Sequence, residues 1–226
     1  MRGWWREIRG LVLPTACAGC GAGHEVLCEG CRRMLCAGPA RRVRPSPEPP
    51  GLPPVFAAAG YADMARAVLL AHKERGMLAL AAPLGRALAV SVRAACAAGG
   101  AVGVAAELSL VPVPSARASV ARRGHDPVRR VALAAAGALR AEGRPARVRA
   151  VLRQRRRVTD QSGLTAAQRL ANLSGALAAP PGALAGAGPV LLVDDLVTTG
   201  ASLTEAARAV RAAGGRLFGA AVVAGG

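Results

Sequence analysis

The sequence predicts an α/β protein with a parallel central sheet flanked by helices and a small N-terminal zinc-binding knuckle. Three observations predict it. Val190-Leu191-Leu192-Val193 is an unbroken aliphatic run, as a strand buried on both faces requires, and a small-residue turn after it opens an amphipathic run from Leu203 to Ala213. Short apolar strands alternate with helical patterns from Phe56 onward, which is the order of βαβ units. Cys17-x-x-Cys20 and Cys28-x-x-Cys31 stand close together ahead of that region. The chain divides accordingly into a helix and knuckle over 1–36, a linker over 37–54, and an α/β domain over 55–226.

Composition bounds the partners. The 226 residues carry a formal charge of +17, which suits polyanions such as nucleic acid, phosphates or an anionic membrane. Heavy use of Ala, Gly, Arg and Pro discounts that inference, because it is a base-composition bias that also loads a solvated surface with Arg. Lys73 is the only lysine. Leu11-Val12-Leu13 is too short for a signal-peptide core and is interrupted by Pro14. The Ala-rich stretch Met77 to Ala106 carries Pro83, Arg86 and Arg93, which argues against a membrane span and for a cytoplasmic protein.

In chain order, Met1 to Leu13 reads as an amphipathic helix with Trp4, Trp5, Ile8, Leu11 and Val12 on its apolar side. The two Cys-x-x-Cys pairs can set four thiolates, Cys17, Cys20, Cys28 and Cys31, tetrahedrally around Zn²⁺; a redox pair or disulfides are the alternatives. His24 and Cys36 are spare ligands that four cysteines leave unneeded. Phe56 to Tyr61 predicts a strand, Met64 to Lys73 a helix, and Leu78 to Cys96 a second helix cut or kinked near Pro83. Glu107 to Pro114 is a strand entering a rigid turn, which presents Pro114, Ser115 and Arg117 in a defined loop. A helix over Val128 to Ala141 and a short strand at Val151-Leu152 follow. Arg153 to Gln161 is a dense cationic loop whose repulsion an anion would relieve, or else a solvated one. A polar helix with Gln168, Arg169 and Asn172 comes next, then an Ala/Gly/Pro linker from Ala178 to Pro189. Arg216 to Val223 supplies the last strand.

The turn Thr198-Thr199-Gly200-Ala201-Ser202 is small enough for backbone N–H groups to converge on an anion at a helix N-terminus, with hydroxyls adding donors. Asp194 and Asp195 before it would repel a phosphate unless they face ribose hydroxyls or a phosphate-bound Mg²⁺. A lone ammonium, Lys73, heads the turn after the first predicted helix and suits a site near phosphate, with a chance surface position as the alternative.

The stretch Val190 to Ser202 resembles the phosphoribosyl-pyrophosphate (PRPP) signature of type I phosphoribosyltransferases. With the two Cys-x-x-Cys pairs, Val111-Pro112-Val113-Pro114, Arg123-Gly124 and Arg155 to Gln161, the chain resembles the ComF family, which joins a zinc knuckle to a phosphoribosyltransferase domain. The resemblance implies a type I phosphoribosyltransferase-like sheet and a PRPP or ribose 5-phosphate ligand bound with Mg²⁺. It implies that Asp194 and Asp195 hold ribose hydroxyls and that Thr198, Thr199, Gly200, Ala201 and Ser202 hold the 5′-phosphate. Pro114, Ser115 and Arg117 would meet pyrophosphate, and the loop with Arg155 and Arg157 would close over it. Where the family has an aromatic residue, Asn and Gln after Arg-Gly, this chain has His125, Asp126 and Pro127. The resemblance also implies a link to DNA uptake, so a single-stranded nucleic-acid-binding factor with competence or DNA-processing partners is the alternative to an enzyme.

Overall fold

The computed structural model describes residues 16–36, 38–99, 106–156 and 163–226. The helix expected over Met1 to Leu13 lies outside them, as do Arg157, Thr159 and Gln161.

Six strands form one sheet in the order β1-β2-β8-β7-β3-β4. Its core is parallel: β2 (Val55–Gly60), β8 (Arg216–Gly225), β7 (Pro189–Val197), β3 (Leu108–Pro112) and β4 (Ala146–Val148) all run the same way. The edge strand β1 (Arg41–Val43), from the Pro/Arg-rich stretch, pairs antiparallel with β2. A separate two-residue hairpin joins β5 (Arg153–Gln154) to β6 (Leu177–Ala178). The short strand expected at Val151-Leu152 is therefore displaced to both sides: β4 precedes it and β5 follows, while Leu152 is buried as a side-chain anchor.

Side chains that alternate along a strand must find two separate cores, and they do. Leu191 and Val193 of β7 join Ala221 and Val223 of β8 in one apolar cluster, whereas Val190 and Leu192 join Ala220 and Val222 in another. The first face is covered by α2 (Asp63–Lys73), α3 (Ala81–Ala98) and α5 (Pro127–Ala141), and the second by α7 (Ala201–Ala212). Two shorter helices, α4 (Arg117–Arg123) and α6 (Ala166–Leu173), complete the described set with α1 (Glu29–Cys36) of the cysteine segment. Leu27 and Leu35 of that segment lie in the same apolar cluster as Phe56 and Leu84.

The helix boundaries follow local chemistry. A 3-10 turn at Leu78–Leu80 leads into α3, so Pro83 falls in the first turn, where its missing N–H would have had no partner. The expected cut thus falls at the junction of the 3-10 turn with the helix, just before Pro83. The 21-residue stretch Leu78–Ala98 is long and apolar enough to cross a membrane, but more than half of its apolar window is buried inside the fold. Thr165 and Gln168 close a reciprocal capping box at α6. Asp126 caps α5 by accepting from the Arg129 N–H at 3.1 Å, with Pro127 at the first helical position.

Small residues set how closely the layers approach. A Cβ on Gly85 would lie 2.4 Å from the Ala134 Cβ, so α3 and α5 cross at a point only glycine permits. Gly137, further along α5, has open space around it. Gly85→Val is expected to lower unfolding free energy by about 1–3 kcal/mol through overpacking. Gly137→Ala is expected to be neutral or to stabilise by up to about 1 kcal/mol through helix propensity. Urea titration of the two variants checks this contrast.

Candidate functional site

Because β7 and its neighbours are parallel, their C-terminal ends emerge at one edge of the sheet, where ligands of open α/β sheets bind. Val193 is the last fully buried aliphatic residue of the run; Asp194 and Asp195 follow, still hydrogen-bonded in the strand beside β8. Asp195 is buried, and its backbone N–H donates to Asp194 Oδ1 at 2.8 Å. The turn Thr198 to Gly200 then enters α7, with Gly200 in the left-handed conformation at φ 75° and no side chain capping the helix. Leu52 and Pro49 stand 3.2 Å from where a Gly200 Cβ would be, so the turn is backed by the chain before β2. Asp194, Thr198, Thr199, Gly200, Ala201 and Ser202 together line a recess of about 50 Å³. Its uncapped N–H groups and hydroxyls are donors suited to an oxyanion.

Lys73 reaches this end of the sheet from the last turn of α2. Its Nζ donates to Asp195 Oδ2 at 2.9 Å. Burial lowers the affinity of Lys73 for its proton, but the Asp195 carboxylate outweighs it and the net shift is upward. Asp194 is held well above the usual carboxylate range, first by desolvation and then by the charge on Asp195. The three groups can therefore carry little net charge before any ligand arrives.

The residues around Lys73 were not legible as a site. Glu74 receives both Nε and Nη2 of Arg123 from the end of α4, which ties the lysine turn to the loop after β3. His72 is buried beside His125, the rings meeting edge-to-face at 5.9 Å. Desolvation, helped by His125, lowers His72 to about 4, so it is neutral at ordinary pH. The departure His125-Asp126-Pro127 thus has a local structural explanation: one ring packs on His72, and the next two residues start α5.

Pro114 and Ser115 are partly buried in the loop after β3, and Arg117 begins α4. Val113 N–H bonds to Val193 O, which fixes this loop beside the end of β7. Arg117 and Arg155 line one groove of about 570 Å³ with Gln154, Arg156 and the alanines of α4. The hairpin bearing Arg155 is fastened to α7 by buried Glu205, which accepts from Leu177 N–H at 2.9 Å and pairs with Arg208; Arg208 also donates to Leu177 O. A Glu and an Arg three apart on a helix gave no hint of that role.

The four sulfurs of Cys17, Cys20, Cys28 and Cys31 lie within 4.8 Å of one another, and Cys20 Sγ is 3.7 Å from Cys28 Sγ. Zn–S bonds of about 2.3 Å in a tetrahedron set sulfurs about 3.8 Å apart, so this cluster could hold a structural zinc ion. Gly19 N–H at 3.4 Å and Cys28 N–H at 3.3 Å point to Cys17 Sγ, the pattern that supports a metal-bound thiolate. A Gly19 Cβ would meet Cys31 Sγ and Met64 at 2.8 Å, so the knuckle closes directly against α2. Cys36 and Cys96 lie outside the cluster.

The chain matches no family model, and a comparison with curated proteins finds no relative.

Two outcomes are expected here. Metal analysis of purified protein gives about one zinc per chain, falling in Cys20→Ser. Asp194→Asn melts at a higher temperature than the parent protein. A raised carboxyl gives stability that is present below its unfolded value and lost as pH rises toward its folded one. The gap is therefore absent in acid, opens above the usual carboxylate range, and is full above the elevated value. Thermal melts across pH test it.

Proposed function

We propose that the chain is a phosphoribosyltransferase of the ComF type, binding PRPP across the C-terminal edge of a type I phosphoribosyltransferase-like sheet. The observation that carries the reading is the run of two strand-end carboxylates into an uncapped small-residue helix start, with an ammonium on one carboxylate. Carboxylates accept from ribose hydroxyls, and the turn Thr198 to Ser202 donates to a 5′-phosphate. The groove with Arg117 and Arg155 supplies cations for pyrophosphate, with Pro114 and Ser115 in the loop that leads into Arg117. The oxygens of Asp194 and Asp195 also suit Mg²⁺, which when bound would screen the pyrophosphate charge.

In this reading the C1–O bond to pyrophosphate breaks with its electron pair on the leaving oxygen, and an acceptor forms the new bond at C1. The transition state is cationic at the sugar and anionic at the leaving group. The protein's part is to fix the sugar through its hydroxyls and phosphate, and to meet the growing negative charge with guanidinium groups. Lys73 must share or release Asp195 as ligand enters, and its ammonium then lies within reach of the same anions. A cytoplasmic setting, where six thiols stay reduced, belongs to the proposal.

The three-arginine groove also favours a second reading, a single-stranded DNA contact serving DNA uptake or processing. Few aromatic residues are present to stack bases, which weighs against it.

Isothermal titration with PRPP and Mg²⁺ is expected to show saturable binding that is lost in the Asp194→Ala/Asp195→Ala double variant and weakened about tenfold or more in Lys73→Met. Undiminished binding by the double variant would overturn the assignment. Pyrophosphate release with a panel of amine and nucleobase acceptors separates an enzyme from a ligand-binding factor; DNA affinity that falls steeply with salt and ignores PRPP would favour the second reading.

A further inference from the structure

Between α6, α7 and the segment before β2 lies a recess of about 360 Å³ that the phosphoribosyl reading does not use. Three parts of the fold meet there. Pro50 and Gly51 come from the segment that backs Gly200; Leu170 and Ser174 come from α6 and its end; Thr204, Arg208 and Arg211 come from one face of α7. The volume is within the range of small-ligand sites, about 300–1,000 Å³.

Its chemistry is specific. Leu170 and Pro50 give an apolar wall. The Thr204 hydroxyl oxygen is buried and has no hydrogen-bond partner among the described residues, although the same residue's N–H is satisfied by Gly200 O. A buried hydroxyl without a partner is costly, and a ligand oxygen would relieve it. Of the charges, Glu205 and Arg208 neutralise each other through bonds of 2.7 and 2.8 Å. Arg211 remains, and its described bond is a long one, 3.4 Å to Gly51 O. Among the described residues the recess thus offers one uncompensated positive charge, one unused hydroxyl and an apolar wall.

We propose that this recess binds a small organic monoanion, a carboxylate on an apolar body, with the carboxylate between Thr204 and Arg211 and the body against Leu170 and Pro50. The site is independent of PRPP, and its test needs none.

The probe is benzoate, titrated calorimetrically into the full chain without PRPP or Mg²⁺, with benzyl alcohol and inorganic phosphate as comparisons. Benzoate is expected to bind saturably, about tenfold more weakly in Thr204→Val and in Arg211→Gln, with affinity kept in Thr204→Ser, which retains the hydroxyl. Unchanged circular dichroism shows that each variant is folded. No saturable benzoate binding, or binding that neither substitution moves, overturns the site. Equal affinity for benzyl alcohol removes the need for charge and overturns it too. Tighter binding of phosphate than of benzoate, lost with Arg211→Gln, overturns the organic class.

Discussion

A strand in the middle of a parallel sheet is covered on both faces, so it must stay apolar until it emerges, and anything polar it carries is confined to its end. β7 obeys this constraint and the site depends on it. From Val190 to Val193 its side chains feed two cores in alternation, and the first carboxylates appear where the sheet edge opens. Because β3, β7, β8 and β2 run the same way, the loops after β2, β3 and β7 are delivered to that edge. The loop after Val113 and the turn Thr198 to Ser202 come together for this reason, and Lys73, at the end of α2, is held to them by its ion pair with Asp195 and by Arg123 on Glu74.

The edge is then stabilised by pairs that offset one another. Two adjacent carboxylates in a desolvated place would be unfavourable if both were charged. One is paired with Lys73 and the other is pushed toward its neutral form. Around this pair, Arg123 on Glu74 and His72 on His125 join the end of α2 to the segment between α4 and α5. At the far end of α2, Met64 touches the cysteine knuckle. One helix of 11 residues thus has the metal-suited cluster at its start and the site lysine at its end.

Much of this was legible in the sequence because it rests on local pattern. The aliphatic run, the carboxylates that follow it, the glycine at the helix start and the paired Cys-x-x-Cys spacing each express a nearest-neighbour requirement, although β7 runs on to Val197, four residues past the aliphatic run, and takes both carboxylates into the strand. What was illegible is contact between segments distant in the chain. Nothing local says that Lys73 meets Asp195, that Glu74 receives Arg123, or that Glu205 holds the Leu177 hairpin. The Val151-Leu152 reading failed for a related reason: two apolar residues can anchor a loop in the core as well as form a strand, and only tertiary packing decides. His125, Asp126 and Pro127 looked like an altered recognition segment, whereas Asp126 and Pro127 form a helix cap whose signature, Asp followed by Pro, was present to be read.

The central claim is that the end of β7 is a ribose-phosphate cradle. Backbone amide chemical shifts during titration with ribose 5-phosphate test it most directly, since the claim concerns N–H donors. The account predicts that the largest perturbations fall on the amides from Thr198 to Ser202, and that they vanish when Gly200 is replaced by Val. Saturable binding whose perturbations fall elsewhere and leave those amides unmoved would contradict it.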